Sequence, residues 1–521
     1  MMSTEQRVGS LTRRALLRGT AASVTALSAL SPAIVLAQAG SAPPETSEAA
    51  MAAVEAQRDA ILRISREVWE NAEVSLEEEV SHEIHLRELR DAGFEIVSTN
   101  TSNIPTAFVA EWTQGEGGPI VGFLPEYDAL PDLGNAAEPR PSPGPIGTDV
   151  GHGCGHNMLG AACTGAAFAL KDMMTGSGTP GTIRVYGCAA EETEGAKVYM
   201  ARDGLFDDLD ACLAWHPAPV TGTGLLRTAA LDRMRISFTG QSAHAGIAPW
   251  QGRSALDAAE LFGTGVQFMR EHVQPTSRLQ YVYTSAGAAP NVVPDFAEVL
   301  IVIRDAERSE VNALTDWVKG IARGAAEMTQ TEVEIDLSFG LHDVIPNETL
   351  VGRIYEHMAA VPIEWSEEEQ AFARACQREF GVPEAGLSAS LMPLQPEMPV
   401  GGSTDVGDVS YNAPTGLFAW ATLPLGIGLH TWPVTACGGM SIGDKATIAA
   451  AAVMTGVGYD LMVDPDLRAA VRADFEARLG DRTYVSPLPE GKIRPSGVPP
   501  HLILRTGGGE LIEGLVDAVE G

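Results

Sequence analysis

Positive charge is scarce in this chain. Its 521 residues hold 35 Lys and Arg against 68 Asp and Glu, a formal net charge of -33 at pH 7. Nucleic acid wants clustered Lys and Arg for its phosphates, so that class of partner is argued against. Docking on an anionic membrane surface is disfavoured on the same ground, and the acidity is read as solubility. Cysteine is sparse too, at six. Cys188 and Cys212 lie in apolar strand-like runs, Cys163 in an Ala-rich stretch and Cys376 in a helical one. Free Cys in such settings behaves as a small buried hydrophobe. Cys437 is ambiguous, and no disulfide framework is expected. Only Cys154, among glycines and histidines, has the setting of a metal ligand. No His-rich tract is visible, which argues against a metal-storage or regulatory protein, and no internal repeat is apparent. Past the N-terminus, no run reads as long and apolar enough to span a bilayer.

What is present begins with a tripartite N-terminus. Paired Arg13 and Arg14 precede an uncharged run over 19–36, and Ala37-Gln38-Ala39 supplies a small-x-small cleavage site. This pattern predicts a twin-arginine export signal over 1–39, cleaved near Ala39, and a periplasmic or secreted mature protein free of the membrane. The run is short, rich in Ala, Ser and Thr, and carries Pro32, which speaks against a retained anchoring helix.

Length demands two domains or one large elaborated one. Helical patterns at 48–71 and 76–92 lead into strand-like pieces at 106–112 and 120–124. An Ala-rich helix is expected at 158–174. Strand and helix then alternate through His216, the pattern of an α/β layered domain with a mixed, largely parallel sheet flanked by helices. Near residue 226 the pattern changes. Strands at 233–239, 278–285, 297–304 and 332–339, with helices at 254–271 and 309–329, give the order β-α-β-β-α-β of a compact α+β unit. The expected organisation is therefore 48–225 and 341–485 as two parts of one catalytic domain, 226–340 as an insert, and 486–521 as a tail. Further helices are expected at 367–380 and 464–480.

Four segments carry candidate ligands: GHGCGHNMLG (151–160), GCAAEETEGA (187–196), LAWHPAP (213–219) and GLHTWP (428–433). In three of them an apolar run comes first, at 183–185, 212–215 and 417–420. Open parallel sheets present ligand sites just beyond the carboxyl ends of their strands, so distant residues can meet at one sheet edge. Cys154, His156, Glu192, His216 and His430 are the candidate metal ligands; neutral imidazoles suit zinc, cobalt or manganese. A thiolate has the lone pairs to bridge two divalent ions. Glu191 and Glu192 leave a strand-like run in succession and so point opposite ways. Glu192 is assigned to the metal, and Glu191 to proton transfer between an activated water and a departing amine. His152 is either a further ligand or a supporting residue behind the ligands. His244, in Ser242-Ala243-His244-Ala245-Gly246 of the insert, either donates to an oxyanion or is a solvent-facing cap. Asn291 and Arg304 are candidates for a substrate carboxylate, though Arg304 can equally be salt-bridged scaffolding.

Together with Gly122-Phe123-Leu124-Pro125-Glu126-Tyr127-Asp128-Ala129-Leu130-Pro131 and Gly402-Ser403-Thr404-Asp405-Val406-Gly407-Asp408-Val409, these segments resemble the metal-dependent amidohydrolase and carboxypeptidase family. That family includes aminoacylases, hippurate hydrolases and auxin-conjugate hydrolases, and its aminobenzoyl-glutamate utilisation protein B subgroup is the nearest. The resemblance implies two divalent ions (Zn, Mn or Co) held by Cys154, His156, Glu192, His216 and His430, with Cys154 bridging. It implies Glu191 as general base and acid, and Asp128 near the metal without being a ligand. It makes the insert a lid and homodimerisation domain, with His244 reaching the partner subunit's site. The expected activity is hydrolysis of the amide in an N-acyl or aroyl amino acid, or in a short peptide conjugate. A dipeptidase or N-acyl amino acid deacylase is the alternative within the class; a peptide-binding protein without turnover is the alternative outside it. Two departures stand out. Asn157 replaces the Asp that many relatives have after the second His of the segment, where its amide can only orient a neighbour. The export signal is foreign to a subgroup that is usually cytoplasmic.

Overall fold

Six strands make the central sheet: β1 (Glu95–Thr99), β2 (Phe108–Gln114), β3 (Ile120–Phe123), β4 (Gly181–Gly187), β5 (Ala211–Ala218) and, far along the chain, β12 (Thr415–Ala421). The computed structural model describes residues 44–492, so the expected export signal and the tail beyond 492 lie outside the described residues. The order in the sheet is β1-β2-β4-β3-β5-β12, with β4, β3, β5 and β12 parallel and β1 and β2 antiparallel at one edge. Its inner strands are apolar and buried, with Val121, Phe123, Ile183, Val185, Leu213 and Trp215 in the core. Each such side chain contributes about 1.5–3 kcal/mol by leaving water. The fold is thus α/β, as expected.

Helix His156–Ser177 packs against β4 and β5, and helices Arg58–Glu70 and Ser441–Val463 pack on it in turn. Two expectations are corrected here. The helix expected over 48–71 is two helices, Thr46–Ala56 and Arg58–Glu70, which part at Gln57 (φ -98°, ψ 2°). No Gly or Pro marks the break; tertiary contacts set it, and the Gln57 amide donates to Asp172 at 2.7 Å. The second correction concerns apolar length. Ser441–Val463 is long and apolar enough to cross a membrane, but 83% of its apolar window is buried within the protein. A helix apolar all round is what a core position between other helices demands.

A second sheet holds β7 (Ala230–Thr239), β8 (Arg278–Ser285), β9 (Phe296–Asp305) and β10 (Glu332–Leu341) in the order β10-β7-β9-β8, all antiparallel. Helices Ala255–Met269 and Arg308–Thr329 intervene, so the order is β-α-β-β-α-β. Strict alternation of buried and half-exposed residues along β9 turns one face to these helices. Met234, Ile236, Phe238, Phe262, Val299 and Val318 form a core separate from that of the central sheet. A short parallel pair, β6 (Gly224–Arg227) with β11 (Gln395–Pro399), was not foreseen. All six cysteines are free and buried.

Candidate metal centre

The ligand candidates meet at the carboxyl ends of β4, β5 and β12. Gly155 is the pivot. It has φ +81°, and a Cβ there would lie 2.8 Å from Pro217, so only glycine lets the start of helix His156–Ser177 approach the end of β5. That approach sets Cys154 Sγ 3.4 Å from His216 Nε2. The His430 loop is tied in by its backbone: His430 N donates to Gly153 O at 2.7 Å.

His216 was expected just past its strand but lies within β5, which continues to Ala218. Pro217 interrupts no ladder on the β3 side, because β3 ends at Phe123 opposite Leu213. The acidic pair is corrected as well. Glu191 and Glu192 sit in a turn opened by Ala190 (φ +55°), whose carbonyl accepts from Thr193, Glu194 and Gly195 N. The turn, not strand alternation, parts the two carboxylates.

Among the five candidates, two ligand groups result. Donor atoms of Cys154, His156 and His216 lie within 4.8 Å of one another, and so do those of Cys154, Glu192 and His430. Cys154 is common to both. His430 Nε2 stands 3.3 Å from Glu192 Oε1, yet Glu192 Oε1 is buried without a hydrogen-bond partner. Donor atoms 3.3–3.4 Å apart have the spacing of neighbouring ligands of one ion, given bonds of about 2.0–2.3 Å.

The imidazoles are oriented for this. His156 Nδ1 donates to Asp128 Oδ1 at 2.8 Å, and His216 Nδ1 donates to Pro217 O at 2.8 Å, which leaves each Nε2 facing inward. Asp128 also accepts from Ser75 Oγ at 2.8 Å and Glu192 N at 3.0 Å, so it braces two candidate ligands and belongs to neither group itself. Burial disfavours a charged His156, but the Cys154 sulfur and Asp128 outweigh it and raise its affinity for a proton. A cation at Nε2 would take that proton's place. Burial pushes the Cys154 thiol up, and Glu192 adds to this. A bound cation would reverse both terms and stabilise the thiolate.

Glu191 is raised well above the ordinary carboxylate range by burial and then by Glu126, Asp405 and Glu192. Lys197 is the buried cation in this acidic cluster, donating to Glu126 Oε1 at 2.7 Å and Asp405 Oδ1 at 2.5 Å. A site so rich in carboxylate and sulfur fits two divalent cations. Glu126, Lys197 and Asp405 were not anticipated as site residues. Glu126 and Asp405 stand inside the two family motifs, where only their shared contact with Lys197 identifies them. Lys197 follows an ordinary helix start.

His152 lies outside both groups: its Nε2 donates to Val68 O at 3.1 Å, and burial lowers its pKa to about 4. Asn157 turns away, donating to Ser65 Oγ at 3.2 Å, and orients a helix rather than a ligand. His244 and Asn291 are exposed at one end of the second sheet, joined by Ala245 N to Asn291 O at 3.0 Å, and neither belongs to the ligand cluster. Arg304 is half-buried; its Nη1 donates to Ser403 Oγ at 2.9 Å, and its Nε is buried without a partner. Among the described residues no carboxylate pairs with it.

Residues 123–489 match the model of peptidase family M20/M25/M40. The chain is 36% identical over 473 residues to a component of the p-aminobenzoyl-glutamate hydrolase of Escherichia coli (strain K12), covering 85% of this chain and 97% of that protein. It is 28% identical over 433 residues to the Xaa-Arg dipeptidase of Mus musculus, covering 81% and 90%. Among solved structures, an aminobenzoyl-glutamate utilization protein from Klebsiella pneumoniae aligns with TM-score 0.52 at 19% identity, covering 76% of this chain and 96% of that one. A Bacillus subtilis protein described as a dinuclear metal binding peptidase aligns with TM-score 0.54 at 18% identity, covering 79% and 99%. These two likenesses speak to the fold. The family model and the Escherichia coli relative show more: this chain belongs to peptidase family M20/M25/M40.

Proposed function

We propose that the protein is a dinuclear metal-dependent amidohydrolase that cleaves the amide of an N-acyl or aroyl amino acid, an aminobenzoyl-glutamate-like conjugate heading the list. The observation that carries this reading is the membership of Cys154 in both ligand groups, with the carboxylate of Glu191 within 4.8 Å of the His156 donor atom. Cys154, His156 and His216 would hold one ion, and Cys154, Glu192 and His430 the other. When bound, such ions (Zn, Mn or Co) supply Lewis acidity and bring the pKa of a held water towards neutrality. Glu191 takes the proton of the attacking water and returns it to the leaving nitrogen. Arg304, a cation without a carboxylate partner among the described residues, is assigned to the substrate's free carboxylate, with Asn291 assisting.

His244 stands exposed and outside its own chain's cluster, which supports the reading that the partner subunit's His244 completes the oxyanion site. The second sheet carries the surface for such a homodimer. Trp250 is 73% exposed, Phe268 71% and Val282 58%, and β8 is an edge strand. The insert over 226–340 is the lid and dimerisation domain on this reading. The N-terminal pattern is assigned to twin-arginine export, with the mature enzyme periplasmic or secreted. A dipeptide substrate is the second reading, favoured by the similarity to the Xaa-Arg dipeptidase.

The test is a panel of aminobenzoyl, benzoyl and acetyl amino acids and dipeptides, offered to protein that has been chelated and reloaded with single metals. Turnover of aroyl-glutamate conjugates above dipeptides is expected. Turnover of none of these amides by any reloaded form would contradict the assignment.

A further inference from the structure

Glu126 has no role in the mechanism above, yet it is 3% exposed and reaches the ligand cluster. Its two oxygens are used differently. Oε1 accepts from Lys197 Nζ at 2.7 Å, while Oε2 stands 3.3 Å from His156 Nε2. That nitrogen is buried and has no hydrogen-bond partner. The contact therefore repeats what is seen at Glu192 and His430: a carboxylate oxygen and an imidazole nitrogen 3.3 Å apart, outside hydrogen-bond geometry. In both pairs the atoms lie side by side, as ligands of one cation do.

Charge points the same way. Lys197 is one cation between two carboxylates, and Asp405, at 2.5 Å from Nζ and 3.1 Å from Lys197 N, neutralises it. The second negative charge, on Glu126, is left facing His156. Donor atoms of Glu126, His156 and Glu191 lie within 4.8 Å of one another, so a cation on the His156 side has this oxygen in reach.

We propose that Glu126 is a sixth protein donor of the metal centre, binding the ion on the His156 side, with Lys197 and Asp405 as the residues that hold it in place. This rests on the two-ion reading above. It makes the two ions unequal: one gains a carboxylate anchored to a buried ammonium, the other has the half-exposed His430.

The test is cobalt(II) binding by the full-length protein, followed by chelator competition and visible absorption. Glu126→Gln is the first variant, because its amide oxygen can still accept from Lys197 while its amide nitrogen cannot bind an ion. Glu126→Asp is the second; it keeps the charge beside Lys197 and withdraws the carboxylate by one methylene. In each variant, one of two cobalt ions should bind at least about ten-fold more weakly with an altered spectrum, the other unchanged. Two ions bound at wild-type affinity with the wild-type spectrum, in either folded variant, would overturn the proposal alone. Wild-type protein that takes up no cobalt would overturn the two-ion reading itself.

Discussion

His156 Nδ1 donates to Asp128 Oδ1 at 2.8 Å, and neither side chain has any exposed surface. Asp128 in turn accepts from Glu192 N, so one carboxylate fixes a candidate ligand in each metal group. Asp128→Asn keeps the size but removes the charge that steadies the imidazole. Metal affinity should fall about 10- to 100-fold in chelator competition. An unchanged affinity would mean that Asp128 only fills space.

Asp408 provides a pH-dependent term remote from the ligands. It accepts from His342 N at 3.0 Å and Tyr484 Oη at 2.8 Å, yet burial pushes its carboxyl up from 3.8 to about 7. The folded state thus binds this proton more tightly than the unfolded chain. The stability it contributes is full below about pH 4 and is lost as pH rises through 7. Asp408→Asn should match the wild type near pH 4 and exceed it by a few kcal/mol at pH 8, as read by denaturant unfolding. A difference that does not vary with pH would contradict the sign.

For Arg304, Arg304→Met should raise KM about ten- to hundred-fold for substrates with a free carboxylate, with a smaller change in kcat. Arg304→Lys should fall between, since an ammonium cannot pair bidentately. An equal rise for the matching methyl esters would remove the carboxylate assignment.

Phe268 is 71% exposed on the helix Ala255–Met269 of the second sheet's layer. Phe268→Glu should shift the protein from dimer to monomer in sedimentation and, by withdrawing His244 from its partner, depress kcat. A monomeric wild type with full activity would dismiss both parts.

Much of this architecture was legible from the sequence. β8, the helix Glu367–Phe380 and the β-α-β-β-α-β order follow from alternation and caps, since Ser366 and Glu369 form a complete capping box. The convergence of Cys154, His156, Glu192, His216 and His430 was readable because all lie in Gly- or Pro-bearing segments, three of the four following an apolar run. Glu126 and Lys197 were not, because a buried ion pair between residues 71 apart leaves no local pattern. The turn that separates Glu191 from Glu192 depends on Ala190 at positive φ, a conformation that an alanine does not announce. His216 inside β5 could not be foreseen without knowing that β3 stops short.

The most direct measurement of the central claim is a single comparison on Glu191→Gln: bound metal, affinity for a product-like carboxylate, and kcat. The account predicts two ions retained, wild-type affinity for the carboxylate, and kcat lowered roughly a thousand-fold. Hydrolysis at the wild-type rate in that variant would contradict it.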